Sequence, residues 1–301
     1  MSLILTLAKL FSPNFQAVAK QSNKIQLVSI GFSHYCELSS WCLKTTGLPF
    51  KEHFYAPGEH VLPALSLRVG DKSQKHLSSS SRMTEVLPTN LSESELSAKA
   101  TKEAKRDRMA RSTAVPFAVA PDGSVWKDSW EIATKTGLQD VDPSLKTILD
   151  EKIGVYSRQL AYHYILQSRN NNIWNKLLTY ETGFVWKILW WLFVGSYLKK
   201  MMIKLMKPFD NEAVAECKVQ LNNALQELDG IIAAKKTPFL GGQSIGVADI
   251  AVSALVGPIV NPPNYCNGRY TPVFEELMAQ DDELRKEVER LRATPTGIFV
   301  M

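Results

Sequence analysis

The feature that most constrains the fold is a strand, a helix and a second strand in close succession near the N-terminus. Residues 25–30 have the short, β-branched character of a buried strand, and residues 50–55 are predicted to form a second strand. Residues 31–33 form a turn into the intervening helix. Because two strands joined through a helix cross over the sheet, they are expected to pair in parallel. The segment is therefore predicted to form a βαβ unit.

The residues at both ends of this helix predict where it begins and where it stops. Ser33 is a favoured N-cap residue, and Gly47 followed by Pro49 is a stop signal. Between these ends, apolar or small side chains recur at the i, i+3, i+4 and i+7 spacing of one helix face: Leu38, Trp41, Cys42 and Thr45. The helix is predicted to begin just after Ser33 and to pack this face inward.

A second group of signals follows about eighty residues after the first, at Val115-Pro116. Residues 116–120 and 124–127 read as two strands of a hairpin around the Asp122-Gly123 turn, and a helix begins at Ser129. A βαβ unit, a hairpin and a helix make the thioredoxin-like arrangement. In that arrangement a proline before the third strand, often cis, exposes backbone to a peptide ligand.

From about residue 145 the strand signals stop and helical patterns replace them. A long apolar stripe at helical spacing follows Glu212 and consists of Val214, Cys217, Leu221, Leu225, Leu228 and Ile232. Further on, Asp249 stands at the third helical position behind a Gly246 cap. With 301 residues, the chain is long enough for two domains, and the second is predicted to be all-helical.

Charge and cysteine usage narrow the function classes. A formal net charge of +5 is small for this length, so nucleic-acid binding is not predicted. The four cysteines lack metal-ligand or disulfide spacing, which favours a reducing compartment, and we predict a cytoplasmic protein without a metal site. The first twenty-four residues hold Lys9, Lys20 and Lys24 but no acid, so an organelle-targeting segment is the alternative.

Three candidate groups suit a cysteinyl peptide with a free amino group. Ser33 offers a hydroxyl at a helix start, where unpaired N–H groups and the helix dipole favour an anion such as a thiolate. Val115 and Pro116 offer an extended backbone edge. Asp128 can pair with an ammonium group while Ser129 binds the neighbouring carboxylate.

These motifs resemble the cytosolic glutathione transferases of the serine type, over residues 25–68 and 113–260. The matching segments are Ser33-His34-Tyr35-Cys36, Gly58-Glu59-His60, Val115-Pro116, Asp128-Ser129 and residues 246–249. The resemblance implies a homodimeric transferase with glutathione as cosubstrate and a small hydrophobic electrophile as the second substrate. It further implies that Ser33 activates the thiol and that Val115, Pro116, Asp128, Ser129 and His60 bind glutathione.

The predicted domains follow from the resemblance and the pattern together. They are an N-terminal extension (residues 1–23), an α/β thioredoxin-like domain (24–140, with an insertion at about 69–112) and an all-α C-terminal domain (145–301). The insertion is either a solvated loop or a lid or docking arm.

Three points stay open at the level of sequence. Cys36 stands three residues after Ser33, where redox relatives carry their second cysteine, so a thiol–disulfide reductase is one alternative. A non-catalytic protein that docks on membranes or partner proteins is another. The aromatic residues within 184–198 are expected to be buried in the helical core or against a second subunit, or to contact a membrane surface peripherally.

Overall fold

The computed structural model describes residues 12–68, 114–168, 172–179 and 182–301. The sequence predictions for the first residues of the chain and for the insertion at about 69–112 lie outside these ranges. The described residues form a four-stranded sheet with helices on both faces, followed by a set of helices that forms the larger core.

The sheet has the order β2-β1-β3-β4. Strands β1 (Ile25–Ser29) and β2 (Phe50–Phe54) pair in parallel, as predicted. Strand β3 (Phe117–Val119) runs antiparallel to β1, and β4 (Val125–Trp126) runs antiparallel to β3. This is the thioredoxin-like topology that the sequence pattern predicted.

Helix α1 (Phe15–Ser22) precedes β1 in the chain and packs on the sheet. It was not predicted from the sequence. Asn14 caps it, and its Phe15 and Ala19 side chains are buried against Val28 and Phe117. Its residues lie within the stretch predicted as an N-terminal extension, and they add to the core on this face of the sheet.

Helix α2 (His34–Thr46) connects β1 to β2 with the ends that the sequence predicted. Ser33 is its N-cap, and Gly47 ends it in the left-handed conformation at φ +67°. Leu38 and Cys42, on the predicted inward face, are fully buried against the helices of the C-terminal half. Because α2 covers the sheet with one face and the helical core with the other, it joins the two parts of the fold.

Two short helices complete the sheet region. Helix α3 (Val61–Arg68) follows β2, and α4 (Ser129–Lys135) follows β4 and packs against α2.

The rest of the described chain is helical. Helix α5 (Pro143–Thr147) continues through a π-helical segment (Ile148–Ile153) into α6 (Gly154–Gln167). The remaining elements are α7 (Asn172–Leu178), α8 (Phe184–Leu189), a π-helical segment (Trp190–Val194), α9 (Gly195–Met206), α10 (Asn211–Ala234), α11 (Val247–Val260), a 3-10 turn (Tyr265–Gly268), α12 (Tyr270–Gln280), α13 (Asp282–Arg292) and α14 (Pro295–Val300).

The centre of this core is α11, which packs against α2 and α6 and is buried along nearly its whole length. The apolar stripe predicted on α10 is buried from Val214 to Ile232. At the start of α11 the Asp249 carboxylate accepts N–H hydrogen bonds from Gly246 (2.8 Å), Leu240 (2.7 Å) and Gly241 (3.0 Å). The predicted cap is therefore present, and it also fixes the preceding loop.

Two absences concern only the described ranges. Within them, no helix combines the length and the hydropathy needed to cross a bilayer. Likewise, these residues contain no cluster of three or more His, Cys, Asp or Glu side chains placed to bind a metal ion.

Candidate functional site

The strand registers bring the predicted site residues to one edge of the sheet. Strands β1 and β2 are parallel and end together, with Ser29 opposite Phe54, so the segments carrying Ser33 and His60 leave from the same edge. Val28 pairs with Phe117, which sets the preceding Val115-Pro116 beside the end of β1. We call this the C-terminal edge of the sheet.

The hairpin brings the last two predicted residues to the same edge. Trp126 pairs with Ala118, and the chain then continues toward the start of β3, so Asp128 and Ser129 follow at the C-terminal edge. The predicted residues come from four separate segments of the chain, and each is positioned by a backbone pairing.

Ser33 lies at the start of α2, where its hydroxyl oxygen accepts a 3.4 Å hydrogen bond from the Cys36 N–H. Its carbonyl accepts the Glu37 N–H at 2.9 Å, the first bond of the helix. A serine hydroxyl that accepts one bond still has its own proton to donate. This hydroxyl also hydrogen-bonds the Cys36 side chain, so Ser33 can cap α2 and donate to an anion beside the helix start by turning its proton away from the Cys36 sulfur.

Cys36, one turn further along α2, is in a different environment. Its side chain is 1% exposed, and its sulfur accepts a 3.4 Å hydrogen bond from the Ile30 N–H. Burial raises the pKa of the Cys36 thiol to about 12. Because the thiolate is the reactive form of cysteine, this geometry gives no support to the redox alternative.

Val115 and Pro116 form the segment that leads into β3. Their peptide bond is cis, as the thioredoxin-like pattern predicted. Pro116 is buried, whereas Val115 is only partly buried and packs at the margin of the sheet core. The backbone of Val115 thus lies at the rim of the sheet, next to the turn that carries Ser33.

Asp128 is the N-cap of α4, and its Oδ1 accepts a 2.8 Å hydrogen bond from the Glu131 N–H. Glu131 returns the interaction by accepting the Lys127 N–H at 2.9 Å. Capping uses one carboxylate oxygen of Asp128, and the second leaves capacity for a ligand ammonium. Ser129 beside it is buried, with 2% of its surface exposed.

His60 belongs to a loop that is closed by its own hydrogen bonds. Its Nδ1 accepts the Gly58 N–H at 3.1 Å, and Glu59 accepts the Ala56 N–H at 3.0 Å. Gly58 has a φ of +92°, a conformation that favours glycine, and an added Cβ would lie 3.5 Å from Val194, an ordinary van der Waals distance. The structure therefore gives His60 a role in the loop, and the loop contacts the helical region.

Arg269 was not predicted from the sequence, although it lies next to this edge. A Cβ built on Gly31 would be 3.4 Å from one of its guanidinium nitrogens. The guanidinium also stands over the Phe54 ring, 4.3 Å from its centroid. Arg269 also acts on the carboxyls of Glu37 and Glu52, whose pKa values its charge lowers. Since Gly31 belongs to the turn that carries Ser33, the same positive charge lies beside the place where an anion is expected.

Two carboxyl groups are enclosed on the helix side of the same region. Glu37 is 3% exposed, and burial, together with the nearby Glu52, raises its pKa to about 7. Burial also raises the pKa of Glu52, whose carboxylate accepts a 2.8 Å hydrogen bond from Ser40. At low pH Glu37 is neutral, and at high pH the folded protein encloses a charge one turn behind Ser33.

His34 and Tyr35 are neighbours of Ser33 that serve packing. His34 Nε2 lies 2.9 Å from the Gly154 carbonyl oxygen, and the Tyr35 hydroxyl donates to the Asp150 carbonyl at 3.1 Å. Burial, with Arg158 nearby, lowers the pKa of His34 to about 3. Both side chains are buried and hold α2 against the segment that leads into α6.

A separate cavity of about 470 Å³ opens at the other end of α2. Trp41, Lys44 and Thr45 line it from α2, and Phe239 and Phe299 line it from the helical region. Eight residues separate Trp41 from Ser33, about 12 Å along a helix, so this cavity is distinct from the C-terminal edge.

Comparison with solved structures identifies the fold. A glutathione transferase from Phanerochaete chrysosporium matches over 92% of this chain and 94% of its own, with a TM-score of 0.50 and 11% identity. A glutathione S-transferase of Ceriporiopsis subvermispora in complex with glutathione matches over 90% of this chain and 97% of its own, with a TM-score of 0.46 and 12% identity. The match to the Phanerochaete chrysosporium structure, together with the strand order, shows that the chain has the glutathione transferase fold: a thioredoxin-like N-terminal part and a helical C-terminal part.

Comparison of sequences, unlike comparison of structures, finds no match for this chain. No protein-family model matches the chain, and no curated protein matches it in sequence. Since the sequence identities to the solved structures are low, the shared architecture shows the fold only, and the chemistry depends on the residues of the site.

Proposed function

We propose that this protein binds glutathione at the C-terminal edge of the sheet and activates its thiol for attack on a hydrophobic electrophile. In this proposal the sulfur lies at the start of α2 beside Ser33, and the cysteinyl backbone runs along Val115. Asp128 pairs with the γ-glutamyl ammonium, while Ser129 binds the carboxylate beside it. The strand register that gathers these residues at one edge is the observation that supports the proposal most strongly.

Activation requires that the glutathione thiol lose its proton near neutral pH. A free thiol has a pKa of about 8.5, and only the thiolate is a good nucleophile. A hydrogen bond from the Ser33 hydroxyl, the unpaired N–H groups at the start of α2 and the Arg269 charge would all favour the anion. The proton of the thiol would pass to bulk water. The thiolate would then form a carbon–sulfur bond with the electrophile, and the leaving group would depart with its electron pair.

The expected electrophile is apolar because apolar side chains flank this edge. Phe32, directly before Ser33, packs against Tyr270 with ring centroids 4.9 Å apart. Trp186 and Val194 stand against Gly58, in the loop that carries His60. Homodimer formation and cytoplasmic location stay predictions, which sedimentation and cell fractionation would test.

Calorimetry with glutathione tests the binding half of the proposal. Asp128→Asn keeps a good N-cap but removes the negative charge, so it separates capping from ligand binding. We expect millimolar or tighter binding by the parent protein and at least about a tenfold loss in Asp128→Asn.

A matched control for this variant is available in the chain. Asp142 is also a helix N-cap, accepting from Ser144 and Leu145, but it caps α5 in the helical region. Asp142→Asn should bind glutathione like the parent. If both variants weaken binding equally, or if the parent takes up no glutathione, the proposed site is wrong.

A further inference from the structure

Residues 184–206 form one continuous helix, here called the aromatic helix, built from α8, the π-helical segment and α9. Its N-terminal half exposes large apolar side chains: Phe184 is 78% exposed, Trp191 75% and Phe193 67%. Val185, Ile188, Leu189, Leu192 and Tyr197 are exposed as well. Burial in the helical core, one of the sequence expectations, is therefore wrong for these residues. A contiguous apolar surface of this kind marks an interaction site.

The aromatic helix is held firmly on its other side. Trp190 is 2% exposed, and its indole N–H donates to Asn175 at 2.9 Å. Gly195 allows this packing, since an added Cβ would lie 2.8 Å from the Trp190 indole nitrogen. Leu198 and Met202 pack on the main core further along. The exposed side is thus presented by an anchored helix about 35 Å long.

All the charged side chains on this segment are positive. Between residues 182 and 209 the chain has five lysines and no acidic residue. One of them, Lys187, lies in the apolar half, and Lys199, Lys200, Lys204 and Lys207 lie in or directly after the C-terminal half. Among the described residues, none of these ammonium groups forms an ion pair with a carboxylate. The surface therefore needs a partner that is both apolar and negatively charged.

We propose that the aromatic helix binds the surface of a membrane that contains anionic lipids. Its aromatic side chains would enter the headgroup region, and its lysines would contact lipid phosphates and carboxylates. A second copy of this chain fits less well, because two such helices would bring ten lysines together without a compensating acid. The proposal does not depend on glutathione binding.

Vesicle sedimentation of the full chain tests this directly. We expect the parent protein to sediment with phosphatidylcholine vesicles that contain phosphatidylserine and to stay in solution with phosphatidylcholine alone. Added salt should release it, because electrostatic attraction to the surface is screened. Replacing Lys200, Lys204 and Lys207 by Gln should weaken partitioning on the order of a hundredfold. Trp191→Ser with Phe193→Ser should weaken it by at least about tenfold.

Matched controls distinguish the loss of side chains on the aromatic helix from a general loss of positive charge or of exposed apolar surface. Gln at Lys20, Lys24 and Lys51 removes the same charge from exposed positions on the sheet region. Ser at Val219 and Ile298, which are 52% and 69% exposed, removes two apolar side chains from other helices. Both controls should partition like the parent, and circular dichroism should give the same melting temperature for all variants.

Fluorescence reports which side chain enters the lipid. Trp191 is the most exposed of the seven tryptophans, so a blue shift of the emission on vesicle addition should come mainly from it. Trp191→Phe should lose most of that shift and still sediment.

Three results would overturn the proposal. The first is a parent protein that stays in solution with phosphatidylserine vesicles. The second is equal loss of partitioning in the control and test variants. The third is a parent dimer that Trp191→Ser with Phe193→Ser converts to a monomer, because a second copy would then cover the apolar surface.

Discussion

The C-terminal edge of the sheet and the aromatic helix place their side chains in opposite ways. At the sheet edge, polar groups from four separate segments converge because strand pairing fixes where each segment ends. On the aromatic helix, apolar groups from one continuous segment point away from the protein. The first arrangement suits one small polar ligand, and the second suits an extended surface. The comparison indicates two kinds of binding within one fold.

The largest effect in this comparison is expected from a change of Ser33, whose hydroxyl lies at the start of α2. Ser33→Asp keeps an N-cap for the Cys36 N–H but places a negative charge beside the expected thiolate. We expect kcat/KM for conjugation of an activated aryl halide to fall by at least about a hundredfold, which corresponds to about 2.7 kcal/mol. The free energy of unfolding should change by less than about 0.5 kcal/mol.

Ser33→Thr serves as the control, because it retains both the hydroxyl and the cap. It should keep most of the activity. Equal activity in parent and Ser33→Asp would remove Ser33 from the mechanism and leave it as a helix cap.

A second prediction concerns the carboxyl group enclosed behind the sheet edge. Burial raises the pKa of Glu37 in the folded protein from 4.5 to about 7. Its contribution to stability is therefore complete below about pH 4.5 and is lost as the pH rises through 7. Glu37→Gln should have nearly the parent's stability at pH 5 and exceed it at pH 8 by on the order of 3 kcal/mol.

Urea unfolding of both proteins at the two pH values measures this difference. His34, whose pKa is lowered to about 3, contributes stability that is lost as the pH falls from 6.5. This effect is present in parent and variant alike, so the difference between the two proteins reports Glu37 together with its coupling to Glu52. A difference that does not change with pH would contradict the buried, titrating carboxyl.

A third prediction concerns Gly58, in the loop that meets the aromatic helix. Gly58 has φ +92° and lies against Trp186 and Val194 of that helix. Gly58→Ala would strain the backbone at this positive φ, although its Cβ would lie at an ordinary van der Waals distance from Val194, so it should lower the free energy of unfolding by about 1–2 kcal/mol. Gly230, within α10 and with open space around its Cβ position, provides the control, because Gly230→Ala should be neutral or stabilising. Equal effects would show that the backbone conformation at Gly58 does not require glycine.

The smallest expected effect is that of the aromatic side chains on the sheet edge. Trp191→Ser with Phe193→Ser should leave glutathione affinity within about twofold, because these exposed side chains project away from the protein. Calorimetry on parent and variant checks this. A large loss of affinity would mean that the two regions act as one site.

Much of the sheet region was predictable because its signals are local. Ser33 and Gly47 bracket α2, and the Asp122-Gly123 turn sets the hairpin. Parallel pairing of β1 with β2 then fixes which edge the following segments leave from. Short-range rules of capping and turn chemistry therefore sufficed for these elements of the sheet region, whereas the choice of candidate site residues also drew on the resemblance to glutathione transferases.

The rest depends on contacts that sequence spacing does not encode. Arg269 reaches Gly31 across more than 230 residues, and no motif surrounds it. The partner of α1 is the sheet, which forms only after distant strands pair. Exposure of Trp191 beside a buried Trp190 is decided by the packing of Trp190 on Asn175 and Gly195. Two adjacent tryptophans look identical in the sequence.

The most direct test of the central claim is the pKa of the glutathione thiol when it is bound to this protein. Ultraviolet absorbance of the thiolate, followed against pH at saturating protein, measures it. The account predicts a value about one to two pH units below that of free glutathione, and a return to the free value or above it in Ser33→Asp. A bound thiol with the same pKa as free glutathione would contradict activation at the start of α2.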